Sequence, residues 1–197
     1  MVPTKNLDEE SKTFYRDLEI DFKDAGHGLS GEKKDRLTEI EKKLIDLSIS
    51  FSENIAKDKT EVMFLEDELK GLSQNELKNL KKNNDSFVIT MAYPDINAVM
   101  ENCSVRKTRE IVWKAFNNRA VKENSPILEE AVQLRNEKAL LFGFKTWAEY
   151  RLQNRMAKSP KNVASMYESL IPKLQKAAEV EKSELAIDSI EISDITP

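Results

Sequence analysis

One cysteine and one histidine stand among the 197 residues, and no apolar run is long enough to cross a bilayer. Each scarcity excludes a class of function. A single Cys103 rules out an internal disulfide framework and suits a reducing compartment. A single His27 rules out any metal site built on two histidines within this chain. A spanning helix needs about 20 consecutive apolar residues, and neither the body of the sequence nor the opening Met1-Val-Pro-Thr-Lys-Asn-Leu7 supplies a hydrophobic core of that kind. No membrane role and a cytoplasmic location are the expectations. The net charge of -4 argues against a phosphate-binding surface, so nucleic acid is not an expected partner.

What is abundant is charge and regular apolar spacing. Charged residues make up 34% and hydrophobic residues 40%, the balance of a folded helical body with a large solvated surface rather than of a disordered chain. Leu7, Phe14, Leu18 and Phe22 mark one helix face, closed by Gly26-His27-Gly28. Ser30 is the expected cap of a second and longer helix. Its seam is Leu37, Ile40, Leu44, Leu47, Phe51 and Ile55, at alternating spacings of three and four. Val62-Met63-Phe64-Leu65 and Phe87 to Tyr93 are rich in strand formers and predict a small antiparallel ribbon, broken after its second strand by Tyr93-Pro94. Between them Ser73, Glu76, Leu77 and Leu80 predict a short helix, followed by a polar loop from Lys81 to Asp85.

From Val105 to Lys173 the starts and stops are sharper. Ser104 is the candidate N-cap of a helix whose buried stripe is Val105, Ile111, Val112, Ala115, Phe116 and Ala120. Ser125-Pro126 predicts a cap and first position for the next helix, with Ile127, Leu128, Ala131, Leu134, Leu141 and Phe142 buried and Gly143 as its stop. Thr146 opens a short helix through Trp147, Ala148 and Tyr150. Ser159-Pro160 opens a last one with Val163, Met166, Tyr167, Leu170 and Leu174 on its apolar side, extended by Ala177, Val180, Leu185 and Ile187. Pro172 lies inside that span and predicts a kink or a local distortion. Trp113 and Trp147 are spaced as core aromatics. The fold class is therefore all-α, mainly long antiparallel helices, with one small β-ribbon, over a single helical region spanning residues 1–197.

This stretch, together with Glu68-Leu69-Lys70-Gly71-Leu72 between the two strands and the Tyr-Pro after the second, resembles the thimet oligopeptidase, neurolysin and saccharolysin family of zinc metallopeptidases. The likeness runs over roughly Leu18 to Lys176, in the helical region that precedes the family's metal-binding helix. It implies a wall of a deep channel that admits short peptides, which are cleaved by a zinc-activated water. The family holds zinc with two histidines at i and i+4, a glutamate between them as general base, and a further glutamate from a neighbouring helix. None of these can be placed on this chain, so no catalytic, cofactor-binding or metal residue carries over. Zinc belongs to the full-length family. The chain is expected to be incomplete relative to it, an inactive piece of channel scaffold. A non-catalytic helical module for binding peptides or for assembly is the alternative. Short peptides, the missing catalytic portion or a second copy are the partners so implied.

The remaining polar residues favour plain roles. His27 between two glycines reads as an exposed turn residue, and Cys103 as a packing cysteine near a helix start, where the helix dipole could instead favour a reactive thiolate. Glu9-Glu10 and Glu129-Glu130 are adjacent on helices and point in different directions, so they make no acid/base dyad. Arg106, Lys107, Arg109 and Lys114, diluted by Glu110, read as a face of surface ion pairs.

Overall fold

The computed structural model describes residues 7–185, with no account of the side chain of Leu185. Eight helices are seen among them: α1 (Glu9–Asp24), α2 (Glu32–Lys57), α3 (Gln74–Asn79), α4 (Tyr93–Asn102), α5 (Arg106–Asn117), α6 (Val121–Leu141), α7 (Trp147–Leu152) and α8 (Pro160–Leu185). Three strands, β1 (Glu61–Phe64), β2 (Lys81–Asn83) and β3 (Ser86–Thr90), join them, with a 3-10 turn over Glu66–Leu69. The fold is mostly α with a small antiparallel β element. Ile187 and the tail after it lie outside the described residues.

The chain divides into two units, with boundaries inside α2 after Ser48 and inside α6 before Leu128. The unit formed by residues 49–127 holds the sheet, in the order β1-β3-β2. β1 runs antiparallel to β3 from Glu61 against Thr90 to Phe64 against Phe87, and β2 pairs on the other side, with Asn83 against Ser86. The third strand lies in the segment read as a polar loop. Its signal is Asn84, which takes the left-handed backbone at φ 54° and closes a two-residue hairpin with Asp85, a conformation that asparagine adopts more readily than most residues. Phe64, Leu69, Leu77, Phe87, Ile89, Ile96, Val99 and Val112 bury together beneath the sheet. Helix α4 corrects the reading of Tyr93-Pro94 as only a break. Pro94 stands in its first turn, where no intrahelical donor is needed, and the Asp95 carboxylate accepts from the Thr90 N–H and hydroxyl at 3.0 and 2.6 Å.

The other unit comprises residues 7–48 and 128–184. In it α2 and α6 run antiparallel, pinned by a bidentate pair from Arg36 to Glu137 (2.6 and 2.8 Å), by Lys138 to Glu41 at 2.7 Å and by Lys43 to Glu130 at 3.3 Å. Leu37, Ile40 and Leu47 are buried as the seam predicts, with Leu44 half-buried. Tyr150 anchors the far end. Its ring is stacked with Phe142 at 5.3 Å and also meets Phe144 and Trp147. Burial first, then the nearby Asp24 carboxylate, pushes the Tyr150 phenol upward from its ordinary value.

Several caps differ from expectation. Ser73, Thr146 and Ser159 accept from the N–H groups of Glu76, Glu149 and Asn162, as read from the sequence. Ser104 does not cap α5. Val105 holds that position, while the Ser104 N–H and hydroxyl both donate to the Lys70 carbonyl. Ser30 is displaced by Gly31, whose carbonyl accepts from Lys34 and Asp35. Ser125 sits one turn inside α6, its hydroxyl donating to the Val121 carbonyl, and Pro126 is an interior proline. Faces differ too. Leu128 and Trp113 are exposed rather than buried, as are Phe14 and Phe22 on α1, where no residue is buried.

Cavity formation sets the expected cost of seam substitutions. Ile40→Ala and Leu47→Ala should each lower unfolding free energy by ~2–5 kcal/mol, and Ile45→Ala, at an exposed site on the same helix, by less than ~0.5 kcal/mol. Denaturant midpoints of the three variants at unchanged slope check this ranking.

Candidate functional site

Two places in the unit of residues 49–127 gather polar groups from several elements. The first is a cleft of about 490 Å³ where the end of α2 meets the start of β1 and the end of β3. Asp58, Lys59, Glu61, Lys81, Thr90 and Arg119 line it. Its charges are largely committed. The Asp58 carboxylate accepts from the N–H groups of Thr60 and Ala120, both at 2.8 Å, and the Thr60 contacts, with Ala120 and Arg119 behind them, hold its pKa below the usual carboxylate range. Arg119 lies over the Phe116 ring at 3.7 Å and donates from Nε to the Phe116 carbonyl. An ionised carboxylate held by two N–H donors is a structural acceptor here. Through Asp58 the cleft orders the turn between α5 and α6.

The second place is the loop Glu68–Leu72, which grips the junction of α4 and α5. The Glu68 carbonyl accepts from the Thr108 hydroxyl at 2.7 Å and from the Cys103 thiol at 3.5 Å. The Lys70 carbonyl accepts from the Ser104 N–H at 2.7 Å and from its hydroxyl at 3.0 Å. Gly71 follows at φ 105°, and a Cβ there would lie 2.9 Å from the Ser104 nitrogen and closer still to the Asn102 carbonyl. Only glycine suits both the backbone conformation and the close approach. Cys103 is 3% exposed and closes α4, its N–H bonded to the Val99 carbonyl. It is a packing cysteine whose thiol is hydrogen-bonded to backbone.

His27 is exposed in its turn, its ring 5.1 Å from that of Phe22 and its N–H on the Phe22 carbonyl. Among the described residues no three His, Cys, Asp or Glu side chains gather as a metal site would need. Glu9 and Glu130 pair with Lys12 and Lys43, and Lys107 and Lys114 both pair with Glu110. Arg109 donates to the Cys103 carbonyl at 2.6 Å, so one member of the basic face serves the α4–α5 junction.

Relatives share this helical framework in sequence. The profile of peptidase family M3 matches residues 99–189, from the end of α4 through α8. The thimet-like oligopeptidase of Dictyostelium discoideum is 40% identical over 152 residues, 76% of this chain and 23% of that protein. The chain belongs to the thimet oligopeptidase family. Saccharolysin of Saccharomyces cerevisiae is 34% identical over 183 residues, covering 88% of this chain and 25% of its own length, and oligopeptidase A of Escherichia coli is 29% identical over 199 residues, covering 89% and 29%. The chain thus spans about a quarter of the length of the relatives it matches. A thimet-type zinc site does not fit the donors present: the lone imidazole stands apart, in a turn, from any cluster of carboxylates among the described residues. No helix of the described residues is long and apolar enough to cross a membrane.

Substitutions at Asp58 and Gly71 test the structural roles. Asp58→Ala leaves the N–H of buried Ala120 without its acceptor and should cost ~1–3 kcal/mol, Asp58→Asn less. The folded pKa of Asp58 is depressed, so its contribution is present above the unfolded carboxyl value and lost as pH falls through the folded one. Acid unfolding should therefore be less steep in Asp58→Asn. Gly71→Ala should cost at least ~1–3 kcal/mol, read as a fall in melting temperature with the helical signal retained below it.

Proposed function

We propose that this chain is a scaffold portion of a thimet-type oligopeptidase, contributing helical wall to a peptide channel and holding neither zinc nor hydrolytic activity by itself. The donor set carries the reading. A catalytic zinc takes about three protein ligands and keeps one position open, and this family supplies two of them as histidines one helical turn apart. Here the only imidazole is His27, exposed against Phe22. Carboxylates are plentiful, but without imidazole or thiolate partners they favour harder ions and bind zinc weakly. Peptides of short length are the substrate class of the whole enzyme in this reading, in keeping with the name oligopeptidase on several relatives. A single buried cysteine with no intrachain partner suits a reducing compartment such as the cytoplasm.

A second reading, a non-catalytic helical module for assembly, draws on one observation: α8 carries an apolar face with no cover among the described residues. Both readings make the same statement about chemistry and differ in what the chain joins.

Purified chain, dialysed and assayed for metal, should retain far less than one equivalent of zinc. It should leave a quenched-fluorescent peptide of about ten residues uncleaved, a length suited to a narrow channel. His27→Ala should change neither result. One equivalent of retained zinc, or chelator-sensitive turnover that co-purifies with the chain, would overturn the proposal.

A further inference from the structure

We infer that the cleft at the end of α2 binds a small organic monoanion, a carboxylate carried on an apolar body, with Arg119 as the fork that grips it and Lys59 as a second cation. The site is built wholly from residues 55–119, so it stands whether or not the scaffold reading holds. At about 490 Å³ the cleft has the size of a small-ligand site. Arg119 decides its chemistry. The half-buried guanidinium lies over the Phe116 ring at 3.7 Å and its Nε donates to the Phe116 carbonyl at 2.9 Å. These contacts fix the side chain and leave both Nη groups without a partner among the described residues. Asp58, on the same wall, spends its carboxylate on the Thr60 and Ala120 N–H groups instead. A fixed planar fork with two open donors matches the two oxygens of a carboxylate.

The backbone that carries Arg119 is held as well. Ala120, the next residue, takes the left-handed conformation at φ 52°, which a residue with a Cβ adopts at a cost, and Asp58 clamps its N–H at 2.8 Å. The arginine is thus ordered before any ligand arrives, which lowers the entropy lost on binding. Charge selects the occupant. Lys59, Lys81 and Arg119 line the cleft together with the carboxylates of Asp58 and Glu61. Lys81 faces Glu61 at 3.9 Å, whereas the exposed Lys59 has no partner among the described residues. The balance is one positive charge, which suits a monoanion and disfavours the second charge of a phosphate. Ile55 and Met91 border the same space and offer an apolar side to the body that bears the carboxylate. A peptide C-terminus and a free carboxylic acid share this chemistry.

Nuclear magnetic resonance titration of the full chain tests the site with N-acetyl-leucine, its carboxamide, a short peptide ending in leucine with a free C-terminus, and inorganic phosphate. Amides of residues 58–61, 90–92 and 119–121 should shift with the free acid or with the peptide, and the tighter of the two identifies the source of the carboxylate. The carboxamide should bind about tenfold more weakly than the acid, and phosphate more weakly than the acid. Arg119→Gln should weaken binding about tenfold, and Arg119→Lys should recover only part of the loss, because an ammonium lacks the fork. Lys59→Gln should weaken it about threefold, and Lys122→Gln, at an exposed site outside the cleft, should leave it unchanged. Circular dichroism and melting temperature confirm that each variant is folded; if Arg119→Gln unfolds, Lys59→Gln and the comparison of acid with carboxamide decide. Equal binding of acid and carboxamide, binding indifferent to Arg119→Gln or to Lys59→Gln, phosphate bound more tightly than the acid, or no shift at these amides at millimolar carboxylate overturns the proposal.

Discussion

The backbone carbonyls of Glu68 and Lys70 are the acceptors on which the order of the sheet-bearing unit depends. Between them they take the Thr108 hydroxyl, the Cys103 thiol, and the Ser104 N–H and hydroxyl, so the short segment running out of the 3-10 turn fixes both the end of α4 and the start of α5. Thr108 is 2% exposed and would be costly to bury without that acceptor. The close approach at Gly71 lets the two backbones meet. Leu69 and Leu72 on either side then enter the core with Val99 and Val112. A run of five residues with little secondary structure of its own thereby sets the path of two helices.

This arrangement also explains where local sequence signals succeed and fail. Ser73, Thr146 and Ser159 cap because their hydroxyl oxygens meet no competing tertiary partner, so a rule based on three residues of sequence suffices. Ser104 has the same local credentials, but its polar groups are taken by Lys70, 34 residues away. Ser125 is overruled differently. Asp58 accepts from the N–H of Ala120 and Asn124 donates to the Phe51 carbonyl, and these contacts let α6 begin a turn earlier and absorb its proline. Neither contact is visible in a window of neighbouring residues.

Apolar periodicity identifies a face without identifying what covers it. On α2 the spaced residues Leu37, Ile40 and Leu47 are buried, whereas on α1 and α8 residues of equal hydrophobicity and equally regular spacing are open to solvent. The strand β2 was hidden for the opposite reason: Lys81, Lys82 and Asn83 are all exposed at a sheet edge, where lysine is favoured and no apolar alternation is required. For the site, simple counting was more informative than pattern. One histidine excludes a two-histidine metal site in this chain, and Cys103 is buried as its sequence context suggests, while the role of Asp58 became readable only from its partners in space.

The two units differ in how far their own residues complete a core. Residues 49–127 bury a continuous cluster from Phe64 to Val112, drawn from strands and helices close in sequence, so their packing closes with short loops and little chain entropy to overcome. In the other unit the buried apolar side chains are Leu37, Ile40, Leu47, Ala139 and Tyr150, held with the aid of ion pairs that are partly exposed and individually weak. Its α1 buries nothing and most of its α8 buries nothing. A folded body whose hydrophobic pattern exceeds its hydrophobic core has apolar surface to spare. That surplus lies in the unit that carries α8, whose apolar side chains from Met166 to Leu174 are open to solvent among the described residues.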